Sequence, residues 1–109
     1  MNLKKVEVLF NEIFDFNNLI KDATKYIEKI LLESNTNFLS EDITDENCSF
    51  KELKVEYNST QLLINNLGSM PSFRLEFYLY EYAGELPKYT YEIEYNSSGE
   101  FLDEYFLEY

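Results

Sequence analysis

Histidine and tryptophan are absent from the chain, cysteine occurs once, proline twice and glycine three times. Without histidine there is no imidazole to act as an acid, base or metal ligand near neutral pH. One cysteine makes neither an intramolecular disulfide nor a cysteine-rich metal site. Three glycines are too few for a glycine-rich phosphate loop. Cations are also scarce: 9 lysine and arginine against 21 aspartate and glutamate give a formal net charge of −12. A surface this short of cations repels nucleic-acid phosphate and anionic membrane, since both are bound by lysine and arginine displacing counterions. No run is long and apolar enough for a membrane span, and only scattered apolar residues follow Lys4 and Lys5 where a signal peptide would have its core. The chain is expected in the cytoplasm, where the Asn-x-Ser/Thr triplets at Asn47, Asn58 and Asn96 carry no meaning. No cofactor and no metal are expected.

What is present suffices for a core. Hydrophobic residues make up 45% of the 109 positions and aromatic residues 17%, so one domain over residues 1–109 is expected. From Leu3 to Leu32, Val6, Leu9, Ile13, Phe16, Ile20, Ala23, Ile27 and Ile30 recur in steps of three and four, which marks one face of a helix. Asp15-Phe16-Asn17-Asn18 is the weakest place in this run, because Asp and Asn prefer caps and turns. The helical part is therefore placed at about 3–34, as one helix over 17–34 with a helical segment before it. A short strand at Val6, Val8 and Phe10 is the competing reading.

Residues 35–49 are rich in Asn, Thr, Ser, Asp and Glu and read as a loop. The period then changes to two, and an antiparallel sheet is expected over about 51–108. Leu53, Val55 and Tyr57 alternate with Glu52, Lys54 and Glu56. Leu62 to Leu67 is a short apolar run, and Gly68-Ser69-Met70-Pro71 makes a turn. Phe73 to Tyr82 sets Phe73, Leu75, Phe77 and Leu79 on one face against Arg74, Glu76, Tyr78, Tyr80 and Tyr82. Lys88 to Tyr95 sets Tyr89, Tyr91, Ile93 and Tyr95 against Lys88, Thr90, Glu92 and Glu94. The last strand, Glu100 to Glu108, does not alternate cleanly, and a bulge, or apolar contact on both faces, would explain it. The fold class is α+β: an N-terminal helix or helix pair on one face of a four- to five-stranded antiparallel meander.

Several constellations compete for a function. Asp45, Asn47, Ser49 and Glu56 fall at calcium-loop positions, but Phe50 stands where that loop needs glycine, and Glu56 falls in a strand. Paired carboxylates could serve a glycosidase, yet nothing singles out one pair among 21 acids. Cys48 is flanked by Asp45 and Glu46, which would raise its pKa, so it reads as a bland thiol. Lys21, Lys25 and Lys29 form a stripe that Asp22, Glu28 and Glu33 balance, and this reads as a solvated helix face. Phe16, Ile20, Ile27, Phe77, Tyr91 and Ile93 could enclose a ligand pocket. Catalytic residues are not expected.

The last third is the most informative. Residues 73–109 hold 8 of the 10 tyrosines with 9 acidic and 2 basic residues. Tyrosine offers broad amphipathic contact at low entropy cost, and carboxylates accept strong hydrogen bonds from Arg and Lys. Tyrosine's high β propensity alone would also fill a solvated sheet. Glu76, Tyr78, Tyr80, Tyr82, Glu92, Glu94 and Glu104 are the candidate partner-binding residues. The stretch FRLEFYLYEYAGELPKYTYEIEYNSSGEFLDEYFLEY, behind a helix, resembles small acidic immunity proteins of bacterial toxin–immunity systems. No enzymatic activity is expected, and a monomer or weak homodimer is, since an exposed Phe101 to Tyr109 edge could pair with itself or with a partner strand. The resemblance implies a cognate basic toxin domain, such as a nuclease, blocked in the cytoplasm. On that expectation, lysine at positions 92 and 94 would slow association and weaken its salt dependence without unfolding the domain. An acidic mimic of nucleic acid and a small-ligand module are the alternatives.

Overall fold

In the computed structural model the described residues are 4, 5, 8, 12, 15–34, 50–63 and 71–109. They form a helix α1 (Phe16–Leu32), a single 3-10 turn (Phe50–Glu52) and four strands: β1 (Lys54–Leu63), β2 (Ser72–Tyr80), β3 (Tyr89–Asn96) and β4 (Phe101–Glu108). All neighbouring strands are antiparallel, in the order β1-β2-β3-β4. The expected α+β meander is therefore present, with four strands. Among the described residues no helix is long and apolar enough to cross a membrane.

The helix starts where its sequence is weakest. Asp15 takes a left-handed backbone conformation at φ 45°, ψ 67°, which Asp tolerates better than most residues. Its carbonyl accepts from the amides of Asn18 and Leu19 at 3.0 and 3.1 Å. Its carboxylate accepts from Asn18 Nδ2 at 2.6 Å. Lys4, Lys5, Val8 and Glu12 before it are helical, so Val8 does not belong to a strand. Val6 and Phe10 lie outside the described residues, as do the loop 35–49 with Asp45, Asn47, Cys48 and Ser49, and the turn at 68–70. Lys21, Lys25 and Lys29 point to solvent.

Period-two alternation builds the sheet and decides its faces. Phe73, Leu75, Phe77 and Leu79 of β2 and Tyr89, Tyr91, Ile93 and Tyr95 of β3 are buried under α1, whose Ala23, Ile27 and Leu31 complete the layer with Phe50 and Leu53. Stacked rings of Phe73 with Tyr95, and of Tyr89 with Phe106, fill this space. The expected strand and the start of the apolar run join in one strand: β1 runs from Lys54 into Leu62 and Leu63, with a register shift between Tyr57 and Ser59, and residues 64–67 lie outside the described residues.

Two local features set the course of β4. In the β3–β4 turn, Asn96 Oδ1 accepts from the amides of Ser98 and Glu100, both at 2.9 Å, and Gly99 supplies the positive φ of 83°. The expected bulge is present: Glu94 faces Asp103, whereas Tyr95 faces Phe101, leaving Leu102 over. Beyond that extra residue Glu104 lies opposite Ile93 and Phe106 opposite Tyr91, on the helix side.

Ile27 is fully buried at the centre of the α1–sheet contact. Ile27→Ala is expected to destabilise the fold by about 2 to 5 kcal/mol, the range for such truncations in a core. Urea denaturation followed by circular dichroism checks this.

Candidate functional site

The sheet face turned away from α1 carries the candidate site. Register places its side chains in rows across the strands: Glu56, Tyr78, Thr90 and Leu107 in one, and Ser59, Glu76, Glu92 and Tyr105 in the next. The row after that holds Gln61, Arg74, Glu94 and Asp103. Glu76 thus stands directly opposite Glu92, and Glu94 opposite Asp103. Like charges directly opposite each other destabilise a sheet.

Arg74, the only arginine in the chain, lies among these four carboxylates. Its Nε donates to Glu94 Oε1 at 2.9 Å, and its Nη1 lies 3.8 Å from Glu92 Oε2. Its guanidinium carbon sits 4.4 Å from the centre of the Tyr105 ring on β4, a cation–π contact. One side chain of β2 therefore holds β3 and reaches β4. The bond to Glu94 is the main reason the guanidinium holds its proton more tightly than usual. Glu92 is raised above the ordinary carboxylate range, first by burial; Glu76 adds to the rise and Arg74 opposes it. Glu76 itself accepts from Asn58 Nδ2 at 2.6 Å and Ser59 Oγ at 3.3 Å. Among the described residues, no group of three or more acidic or cysteine side chains is placed to hold a metal ion.

An aromatic strip borders the carboxylates. The rings of Tyr80 and Tyr109 meet the Tyr78 ring edge-on, at centroid distances of 6.4 and 5.7 Å. Desolvation, and then the charge of Glu76, raise the Tyr78 phenol above its usual value, so it is a neutral donor at physiological pH. At the rim, Lys54 pairs with Glu56 at 2.8 Å and Lys88 with Glu81 at 2.6 Å.

Of the candidate residues, Glu76, Tyr78, Tyr80, Glu92 and Glu94 are brought together on this face. Glu92 and Glu94 are not simply offered to solvent: their side chains are 13% and 16% exposed, beside Arg74. Lysine at position 94 would put a second cation against the guanidinium, so substitutions at these two positions report on the sheet as well as on binding. Tyr82 lies past the end of β2, in the loop to β3, and is 94% exposed. Glu104 is on the opposite face. It accepts a 2.9 Å bond from the Tyr91 hydroxyl and a second bond from Tyr26 of α1. Burial, together with Glu104, pushes the Tyr26 phenol up to about 12. Arg74, Tyr105 and Asp103 were not singled out from sequence, because their roles depend on cross-strand register.

The helix side offers a different feature. Ile27, Phe77 and Tyr91 are fully buried in the layer between α1 and the sheet, and Ile93 is 1% exposed, so among the described residues these four do not enclose the pocket that a ligand module would need. An open groove of about 420 Å³ runs instead beside α1, lined by Leu19, Asp22, Ala23, Tyr26, Ile93, Tyr95 and Phe101. Comparison with protein-family models, with curated proteins and with solved structures gives no match to this chain.

Arg74→Ala leaves four carboxylates facing each other and is expected to cost about 1 to 3 kcal/mol. Added salt should recover part of that loss by screening, which thermal melts at low and high ionic strength will read. The raised Glu92 stabilises the fold most below the ordinary carboxylate pKa, and that contribution is lost as pH rises through the folded value. Stability of Glu92→Gln relative to the parent should therefore increase as pH rises through and above the carboxylate range, measured by denaturation at a series of pH values.

Proposed function

We propose that the chain is a non-enzymatic binding protein that docks a basic partner on the outer face of its sheet. In keeping with the resemblance to small acidic immunity proteins, the partner is a bacterial toxin domain neutralised in the cytoplasm. A nuclease suits the role, since it holds phosphate with the lysines and arginines that carboxylates would engage.

The observation that carries this reading is the uncompensated charge. Two like-charge pairs, Glu76 with Glu92 and Glu94 with Asp103, share one guanidinium on an open sheet face. A sheet built for stability alone would alternate signs there, and departures from local consistency gather where function requires them. Cations of a partner would complete the arrangement at Glu76 and Asp103, leaving Arg74 with Glu92 and Glu94 and Lys54 with Glu56. Tyr78 and Tyr80 would supply contact beside it, with Tyr109, as amphipathic rings do at interfaces. Nucleic acid and anionic membrane are poor partners for such a field.

The test is affinity and association rate against the basic domain captured by the tagged chain from lysate of its own organism. Tyr78→Ala should weaken binding by about 2 kcal/mol, the scale of an interface hot spot. Asp103→Lys should slow association and flatten its salt dependence. Unchanged binding in both, with folded variants, would reject the outer face as the interface.

A further inference from the structure

β4 is an edge strand, with β3 on one side and no described strand on the other. Natural edges of this kind are usually blunted by lysine, by proline or by shortness. β4 has none of these over its 8 residues, FLDEYFLE; its bulge at Leu102 and the helix-side Glu104 fall in its first half, ahead of Tyr105 to Glu108. Phe101, Leu102 and Leu107 are each about half exposed, at 54%, 49% and 52%. Its only charges are carboxylates: Asp103, Glu104 and Glu108.

Backbone direction follows from two hydrogen bonds. The Tyr109 amide donates to the Lys88 carbonyl at 3.0 Å, so the odd-numbered amides after the bulge turn toward β3 and the even-numbered ones turn outward. The Glu104 amide agrees, since it donates to Oδ1 of its neighbour Asp103 at 2.8 Å. Along this edge the helix side presents Glu104, Phe106 and Glu108, and the outer side presents Asp103, Tyr105 and Leu107.

We infer that the β4 edge accepts an extended basic segment of a partner protein as a fifth strand. Main-chain hydrogen bonds would hold it, and alternating side chains would fix its register. Residues on its helix side would be Lys or Arg, beside Glu104 and Glu108. Those on its outer side would be apolar, beside Tyr105 and Leu107. A second copy of this chain fits less well, because pairing β4 with itself brings three carboxylates of each copy together. The inference rests on the reading above only for the identity of the partner, to which it gives a second contact.

The probe is a capped peptide of 8 alternating lysine and valine residues, the length of β4, titrated into the isotopically labelled chain. Shifts in the amide spectrum should concentrate at Glu104, Phe106 and Glu108, and a peptide with glutamate for lysine should not bind. Glu108→Pro removes an outward amide without touching a β3 bond. It should weaken the peptide about tenfold, the order expected for one lost hydrogen bond, whereas Lys25→Ala on the exposed side of α1 should leave the peptide affinity unchanged. No binding, shifts confined to the face around Tyr78, indifference to Glu108→Pro, or dimerisation through β4 in place of peptide binding would each overturn the inference. Those results would leave docking on the outer face standing if capture of the basic domain still depends on Tyr78. Loss of that dependence alone would reject the outer face and leave the strand-addition result intact.

Discussion

One guanidinium holds the outer face of the sheet together. Arg74 binds Glu94, approaches Glu92 and covers the Tyr105 ring, so a single side chain spans three strands. Lysine could not replace it, because the contacts require a planar fork that bonds along its edge while its face lies on an aromatic ring. The ionised carboxylates around it outnumber it, and this imbalance gives the face its negative field at short range. The protein's overall charge of −12 adds long-range attraction for a cationic partner, which acts mainly on association rate.

The opposite face follows a different design. There the core is closed by α1 and the rings of β2 and β3, and at its β4 border the half-buried Glu104 accepts from Tyr91 and Tyr26. Because neither phenol ionises at physiological pH, both act as donors to a carboxylate, and the helix is tied to β4 without a cation. With the helix side packed and tied in this way, the described part of the sheet turns its outer face and the β4 edge away from α1. The open groove by Phe101 adjoins the β4 edge, not the outer face.

Much of this was legible in the sequence because it is local. The steps of three and four gave α1 to within two residues at either end, and Asp15 marked its start. Alternation in β2 and β3 assigned every buried and outward residue of those strands correctly. What escaped was non-local. The bulge at Leu102 was anticipated from broken alternation, but its position decides which face Glu104 takes, and one residue of slippage exchanges the two faces. The pairing of Arg74 with Glu92 and Glu94 needed the β2–β3 register, which neither strand specifies alone. Tyr82 continues the alternation of β2 in sequence, yet pairing stops at Tyr80, before the loop that holds Ala83 at a positive φ of 63°.

The most direct measurement of the central claim is a hydrogen-exchange footprint of the chain bound to its captured basic domain, read against the free chain. The account predicts added protection in β2 and β4 around Tyr78 and Tyr105, with the exposed side of α1 at Lys21, Lys25 and Lys29 unchanged. Protection confined to α1 and its groove, with β2 exchanging as in the free chain, would contradict it.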